Sequence, residues 1–237
     1  MQSPIGIASA ALVPVVPGPG LRFRYPAAPV AAAVRFEGKD GDPVRGRPEV
    51  VPEVVVDPLE GEARVEIGDT VYLLELPHWR TPSEHHRGGR SLPLELHLVH
   101  RRPEDGAFLV AGVLYRLGDR NQAITPAFDL IDRFEPATLA PDAPQAAAAS
   151  LRLGHLLPEA ETTCRYQGSL TTAPFTEGVT WAIFTVPAEV AADQVAAHNR
   201  LVSAPTPACG DRPHPPGNPR RLQDRAGRVI AAGLRLG

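Results

Sequence analysis

Proline occupies 27 of the 237 positions, and glycine another 21. A proline inside a helix removes a backbone hydrogen bond and clashes with the carbonyl one turn back, so a chain punctuated this often has little room for long helices. Short apolar or alternating runs remain between the breaks. Thr70 to Arg80 (TVYLLELPHWR) and Leu92 to Arg101 (LPLELHLVHR) read as strands. Pro82, Gly88 and Gly89 lie between them, which predicts a loop and an antiparallel pair. Ala107 to Leu117 is almost continuously apolar and reads as a buried strand; Val179 to Val186 is another and Ala63 to Ile67 a shorter one. Glu189 to Val202, with its Ala and Val periodicity, is the best helix. Pro141 to Ser150 is low-complexity and, like Ala204 to Pro219, reads as loop. Pro77 inside the first strand predicts an edge position or a bulge. The fold class is mostly β, in one domain of a size that all-β units commonly reach.

Composition removes several functions. A net charge of -3 lacks the basic excess of a nucleic-acid binder. No run of 18 apolar residues exists, so no membrane span is expected. The opening MQSPIGIASAALVPVV has neither a charged n-region nor a continuous apolar stretch. The expectation is a cytoplasmic chain; a leader upstream of this sequence would make it periplasmic or secreted. Cys164 and Cys209 either pair or stay reduced.

Strand geometry turns two of these runs into a candidate site. Side chains two apart share a face, so His78 and Arg80 point one way, and so do Glu95 and His97. Pairing the strands brings His78, Arg80 and His97 onto one face. Two imidazoles with carboxylate support are the makings of a metal site, although isolated strand histidines are more often satisfied polar residues.

The residues here also form a pattern. Pro77-His78-Trp79-Arg80-Thr81-Pro82-Ser83-Glu84-His85 is followed by Glu95-Leu96-His97-Leu98-Val99-His100. Gln2-Ser3-Pro4-Ile5 precedes them. Gly168-Ser169-Leu170-Thr171-Thr172, Glu177-Gly178-Val179-Thr180-Trp181 and Gly217-Asn218-Pro219-Arg220-Arg221-Leu222-Gln223 follow in order. In content and order this resembles the α-class carbonic anhydrases over nearly the whole chain. The resemblance implies a single domain over residues 1–237, built on a large twisted, mainly antiparallel sheet with a few short peripheral helices. The front segment that usually precedes Gln-Ser-Pro-Ile in the family is lacking from the sequence.

Three neutral histidines hold zinc in that family and leave a fourth position for water, which the metal acidifies. By resemblance His78 is the first ligand and His97 the third, with Glu95 orienting His97. Thr171 and Glu84 are the implied catalytic pair, the hydroxyl accepting from zinc hydroxide and passing its own proton to the carboxylate. Val99, Val110, Leu170, Val179 and Trp181 match the apolar wall where carbon dioxide rests.

The departures are as specific. Arg80 stands at the second ligand position, and a guanidinium has donors only. At about 4 Å and an effective dielectric near 20, its charge opposes a divalent ion by roughly 8 kcal/mol. Leu76 replaces the glutamine that usually orients the first histidine, and Glu62 lies near the place of the proton-shuttling histidine. The expectation is a carbonic-anhydrase-like domain, acatalytic or strongly impaired, acting as a binding module for carbon dioxide, bicarbonate, a small anion or an unidentified protein partner. Arg80 would then hold an anion or pair with Glu84 or Glu95. The alternative is a working zinc enzyme whose third ligand comes from elsewhere, His85, His86 and His100 being nearest in sequence.

Overall fold

The structure is a computed structural model; it describes residues 1–7, 12–13, 19–40, 48–56, 62–133, 147–159, 162–203, 217 and 219–236. The strands in chain order are β1 (Gly6–Ile7), β2 (Leu12–Val13), β3 (Leu21–Arg24), β4 (Val30–Asp40), β5 (Pro48–Val56), β6 (Arg64–Ile67), β7 (Thr70–Arg80) and β8 (His86–Arg87). They continue with β9 (Arg90–Ser91), β10 (Leu94–Arg101), β11 (Phe108–Leu117), β12 (Ala147–Leu151), β13 (Thr162–Ser169), β14 (Glu177–Phe184), β15 (Ala188–Val190) and β16 (Ile230–Leu236). Two α-helices, α1 (Thr125–Arg133) and α2 (Ala192–Ser203), and a 3-10 turn at Leu153–Leu156 complete the described elements.

One large curled sheet carries the molecule. Its strands hydrogen-bond in the order β10-β11-β14-β13-β16-β3-β6-β7, and β7 returns to β10, while β5, β4 and β12 branch outward from β7. Most pairings are antiparallel. The β11–β14 pairing is parallel, and it lies where both strands are buried, as parallel pairs require.

The expected hairpin is present. β7 and β10 pair antiparallel, with His78 opposite His97 and Arg80 opposite Glu95. Pro77 lies opposite Leu98 on β10, and the bulge falls two residues earlier, where Glu75 is the extra residue between Leu74 and Leu76. The bulge therefore leaves His78 and Arg80 in regular alternation.

That alternation divides β7, β10 and most of β11 between two of the three cores. Trp79 on β7, Leu94, Leu96 and Leu98 on β10, and Ala111, Val113 and Tyr115 on β11 face the helices, where Ile124, Phe128, Ile131 and Leu201 cover them. Trp79 meets Phe128 edge-on at 5.2 Å. The intervening Val99, Val110 and Leu114 face the other way, into a cluster with Ile5, Tyr166, Val179, Trp181 and Ile183. The candidate site lies on this second face.

Several expectations need correction. The helix begins at Ala192, because residues 188–190 extend the sheet as β15 beside Tyr115–Leu117. Residues 147–150 of the expected loop, with Leu151, pair with β4 as a strand; residues 141–146 and most of 204–219 lie outside the described residues. Helix α1 was not anticipated: its nine residues are too few for a clear period. Its start is fixed by Asn121, whose side-chain oxygen accepts from the backbone N–H of Ala123, and by Pro126 in the first turn, where a missing N–H is harmless.

Candidate functional site

The face defined by β7 and β10 borders a cavity of about 160 Å³. His78, His97 and Thr171, with Thr172 and Glu75, supply its polar lining; Leu76, Val99, Phe108, Val110, Leu170 and Trp181 supply the apolar lining. Four of the five wall residues read from the sequence are thus on the wall. Val179 is fully buried in the cluster behind it. Thr172, Leu76, Phe108 and Glu75 were not singled out as lining, because only the curl of the sheet brings the bulge of β7, the start of β11 and the 170–172 turn to one place.

His78 and His97 meet as ligand partners would. His97 Nδ1 is 3.1 Å from His78 Nε2, and the rings are edge-on at 5.0 Å. Behind them Glu95, wholly buried, sits between two imidazoles: Oε1 is 2.7 Å from His85 Nδ1 and 3.0 Å from His97 Nε2, the latter off the hydrogen-bonding angle. Its Oε2 accepts from the backbone N–H groups of Glu84 and His85, each at 2.9 Å. Burial alone would raise the Glu95 carboxyl, but the adjacent His85 and His97 more than reverse this and hold it well below the usual carboxylate range. A carboxylate beside His97 Nε2 favours the proton there, leaving Nδ1 a lone pair toward His78 and the cavity. Gly112, opposite His97 on β11, makes room: a Cβ there would lie 2.5 Å from Ile183 Cδ1 and 3.2 Å from Glu95 Oε1.

His85, Glu95 and His97 also offer donor atoms within 4.8 Å of one another. The 2.7 Å contact is shorter than the roughly 3.3 Å that separates two ligands around a tetrahedral zinc with 2.0–2.1 Å bonds. His85 Nε2 is further engaged by Tyr166 Oη at 2.6 Å, and that hydroxyl donates to Ser3 Oγ at 2.9 Å. This is a closed hydrogen-bond chain that ties the N-terminus to the site. The other two candidate substitutes for a third ligand are elsewhere. His100 is 2.7 Å from Tyr25 Oη and bonds the Leu109 carbonyl, and His86 lies in β8 beside β1.

Arg80 begins on the same face but does not line the cavity. Its side chain is 1% exposed, with Nε 3.6 Å from Glu84 Oε1. His198 on α2 is a near neighbour: burial and the Arg80 charge together push its pKa down to about 3, and its Nδ1 is 2.6 Å from Thr81 Oγ1. Among the described residues no nitrogen of the Arg80 guanidinium has a hydrogen-bond partner. Glu84 is drawn into this group. Its Oε1 accepts from the Arg220 backbone N–H at 2.8 Å, and its Oε2 stands 3.9 Å from His97 Nδ1. The implied hydrogen bond between Thr171 and Glu84 is not among those formed by the described residues. Arg220, Tyr166 and His198 were missed as site-supporting residues; His85, expected only as a substitute ligand, instead supports Glu95.

A zinc ion can be tested against these donors. The His78 and His97 nitrogens, 3.1 Å apart, fit two corners of a tetrahedron of the size above. The motif pattern puts the third corner at residue 80, where Arg80 has no lone pair to give and does not line the cavity. The three-histidine set does not fit this chain.

The curled sheet, the paired histidines and the apolar cavity define a carbonic-anhydrase-type domain. A sequence model of the eukaryotic-type carbonic anhydrases matches residues 74–233, and the chain belongs to that family. It is 34% identical over 137 residues to Alpha carbonic anhydrase 3 of Arabidopsis thaliana, covering 56% of this chain and 46% of that protein. The α-carbonic anhydrase of Thermovibrio ammonificans, solved with the inhibitor sulfanilamide, superposes with a TM-score of 0.74 at 26% identity over 97% of this chain and 86% of that one. A Chlamydomonas reinhardtii carbonic anhydrase in complex with acetazolamide gives a TM-score of 0.76 at 27% identity, over 98% and 90% of the two chains. The chain spans about half the length of the curated relatives it matches, 46% and 48% in two cases. No described helix is long and apolar enough to cross a membrane.

Proposed function

We propose that this chain is a carbonic-anhydrase-like domain in which carbon dioxide hydration is lost or strongly impaired, and which uses its cavity to bind a small molecule or anion. The observation that carries this reading is Arg80, buried on β7 at the position that the motif pattern gives to the family's second zinc ligand. The cavity supports a binding role. Val99, Val110, Leu170 and Trp181 form a dry wall suited to a small apolar group such as carbon dioxide, and His78, His97 and Thr171 supply polar atoms beside it. Glu84, tied to Arg220 and facing Arg80, makes no hydrogen bond to Thr171 among the described residues, which agrees with an impaired proton path.

One observation favours a zinc enzyme with a rearranged site: the spacing of His78 Nε2 and His97 Nδ1. Elemental analysis of the purified chain, with a carbon dioxide hydration assay, separates the readings. The expected result is zinc well below one per chain and hydration near background. Stoichiometric zinc with substantial hydration overturns the binding-module reading.

A further inference from the structure

The turn from Leu170 to Thr176 carries three residues of the cavity lining, Leu170, Thr171 and Thr172, yet little of it is packed. From Thr172 to Gly178 no residue is buried, and five of these seven are exposed. Two backbone hydrogen bonds close the turn: the Leu170 N–H donates to the Thr176 carbonyl at 2.9 Å, and the Phe175 N–H to the Thr172 carbonyl at 2.8 Å. Phe175 is strained. Its φ of 59° lies in the left-handed region, where a Cβ crowds the following carbonyl. A strained residue in a thinly packed turn persists only where its surroundings hold it there.

The holding groups come from two distant segments, 2–5 and 219–228. The Arg220 guanidinium stacks on the Phe175 ring, 3.7 Å from its centroid, where the cation meets the negative face of the ring. Arg220 Nη1 donates to Gln2 Oε1 at 2.9 Å and to the Ser3 carbonyl at 2.6 Å. Gln2 Nε2 donates in turn to Glu177 Oε1 at 2.9 Å and to the Phe175 carbonyl at 3.4 Å. Residues 2–5 are themselves pinned, by Arg228 Nη1 on the Gln2 carbonyl at 2.6 Å and by the Gln223 N–H on the Pro4 carbonyl at 2.9 Å. These are the Gln-Ser-Pro-Ile and Asn-Pro-Arg-Arg-Leu-Gln motifs, which the zinc chemistry leaves without a task.

We infer that the 170–176 turn is a strained lid on the cavity, latched shut by Arg220 and Gln2. Releasing the latch lets Phe175 leave the left-handed region, breaks the two hydrogen bonds of the turn and withdraws Leu170 and Thr172 from the cavity. Val99, Val110 and Trp181 stay in place, because the sheet carries them. The cavity therefore opens through the turn, at a free-energy cost set by the latch and not by the sheet, as access segments drawn from the least stable part of a fold do. The Arg220 backbone N–H also holds Glu84 Oε1, so the latch residue touches the lid on one side and the carboxylate behind His97 on the other. The device belongs to the cavity whether or not a metal occupies it.

Amide hydrogen exchange followed by NMR on the full chain tests this. Arg220→Ala removes the stack and both side-chain hydrogen bonds but keeps the N–H that Glu84 accepts. The Leu170 and Phe175 amides are expected to exchange about tenfold faster or more in this variant, while those of β10 and β11 change by less than about twofold. Acrylamide quenching of tryptophan fluorescence should rise by about twofold in parallel, because Trp181 lines the cavity whereas Trp79 is buried in the other core. Unchanged exchange at Leu170 and Phe175 in a folded variant overturns the inference. So does a rise shared equally by β10 and β11, which marks general loosening, and so does faster exchange with no gain in quenching, because the turn would then move without opening the cavity. If Arg220→Ala does not fold, Gln2→Ala decides by the same measurements, with about threefold faster exchange of the two turn amides expected.

Discussion

Replacing Arg80 by histidine tests the central contention most directly. Arg80 lies on β7 two residues from His78, opposite Glu95, on the face that carries His78 and His97. The electrostatic part of the change is smaller than the sequence suggests. A guanidinium about 4 Å from a divalent ion opposes it by roughly 8 kcal/mol at an effective dielectric of 20. The Glu84 carboxylate, 3.9 Å from His97 Nδ1, attracts the same ion by a similar amount, so the two charges largely cancel. What dominates is the missing donor. Zinc held by four protein ligands binds with about 10–16 kcal/mol, so one donor contributes about 3–4 kcal/mol, or two to three decades of affinity. Arg80→His is therefore expected to take up zinc about 100- to 1000-fold more tightly than the wild-type chain. Chelator-stripped proteins would be titrated with zinc against a chromophoric competitor, with circular dichroism confirming that the variant is folded. A folded variant whose zinc affinity stays within threefold of wild type would refute the reasoning and place the defect elsewhere, at Leu76 first.

Two further outcomes follow from the packing. Gly112→Ala drives a methyl against Ile183 and Glu95 Oε1 and should cost about 1–3 kcal/mol, seen as a Tm lower by about 2–4 °C per kcal/mol; an unchanged Tm would mean that the β11 backbone has slack. His198, with its folded pKa near 3, stays neutral while the unfolded chain takes up a proton below about pH 6.5. Its stabilisation is thus complete above pH 6.5 and lost as pH falls toward 3, about 1–2 kcal/mol of that loss arising between pH 6.5 and 5. Denaturant midpoints of His198→Phe should fall less steeply over that range than those of the wild type, and parallel curves would contradict the assignment.

The sequence by itself determined the family and the local frame of the site. The motifs from Gln2 to Gln223, the β7–β10 pair and the shared face of His78, Glu95 and His97 are consequences of short-range order, because a two-residue alternation and a turn between two strands are written in consecutive residues. Helix α1 and the β12 strand were not legible. Nine residues carry too weak a period, and an alanine-rich stretch becomes a strand only when β4 is beside it. Tertiary structure alone decided how the site is wired. Glu95 is shared between His97 and a third histidine, His85, whose other nitrogen reaches Tyr166, 81 residues away. Arg80 has its charge beside Glu84 and His198 and off the cavity wall, although its alternation on β7 starts it on the face of His78. Glu84 accepts from the backbone N–H of Arg220, 136 residues away, a partner that the motifs do not imply. A strand's sequence sets where each side chain starts; which buried charge it ends beside depends on groups brought in from distant segments, and only the folded chain supplies those.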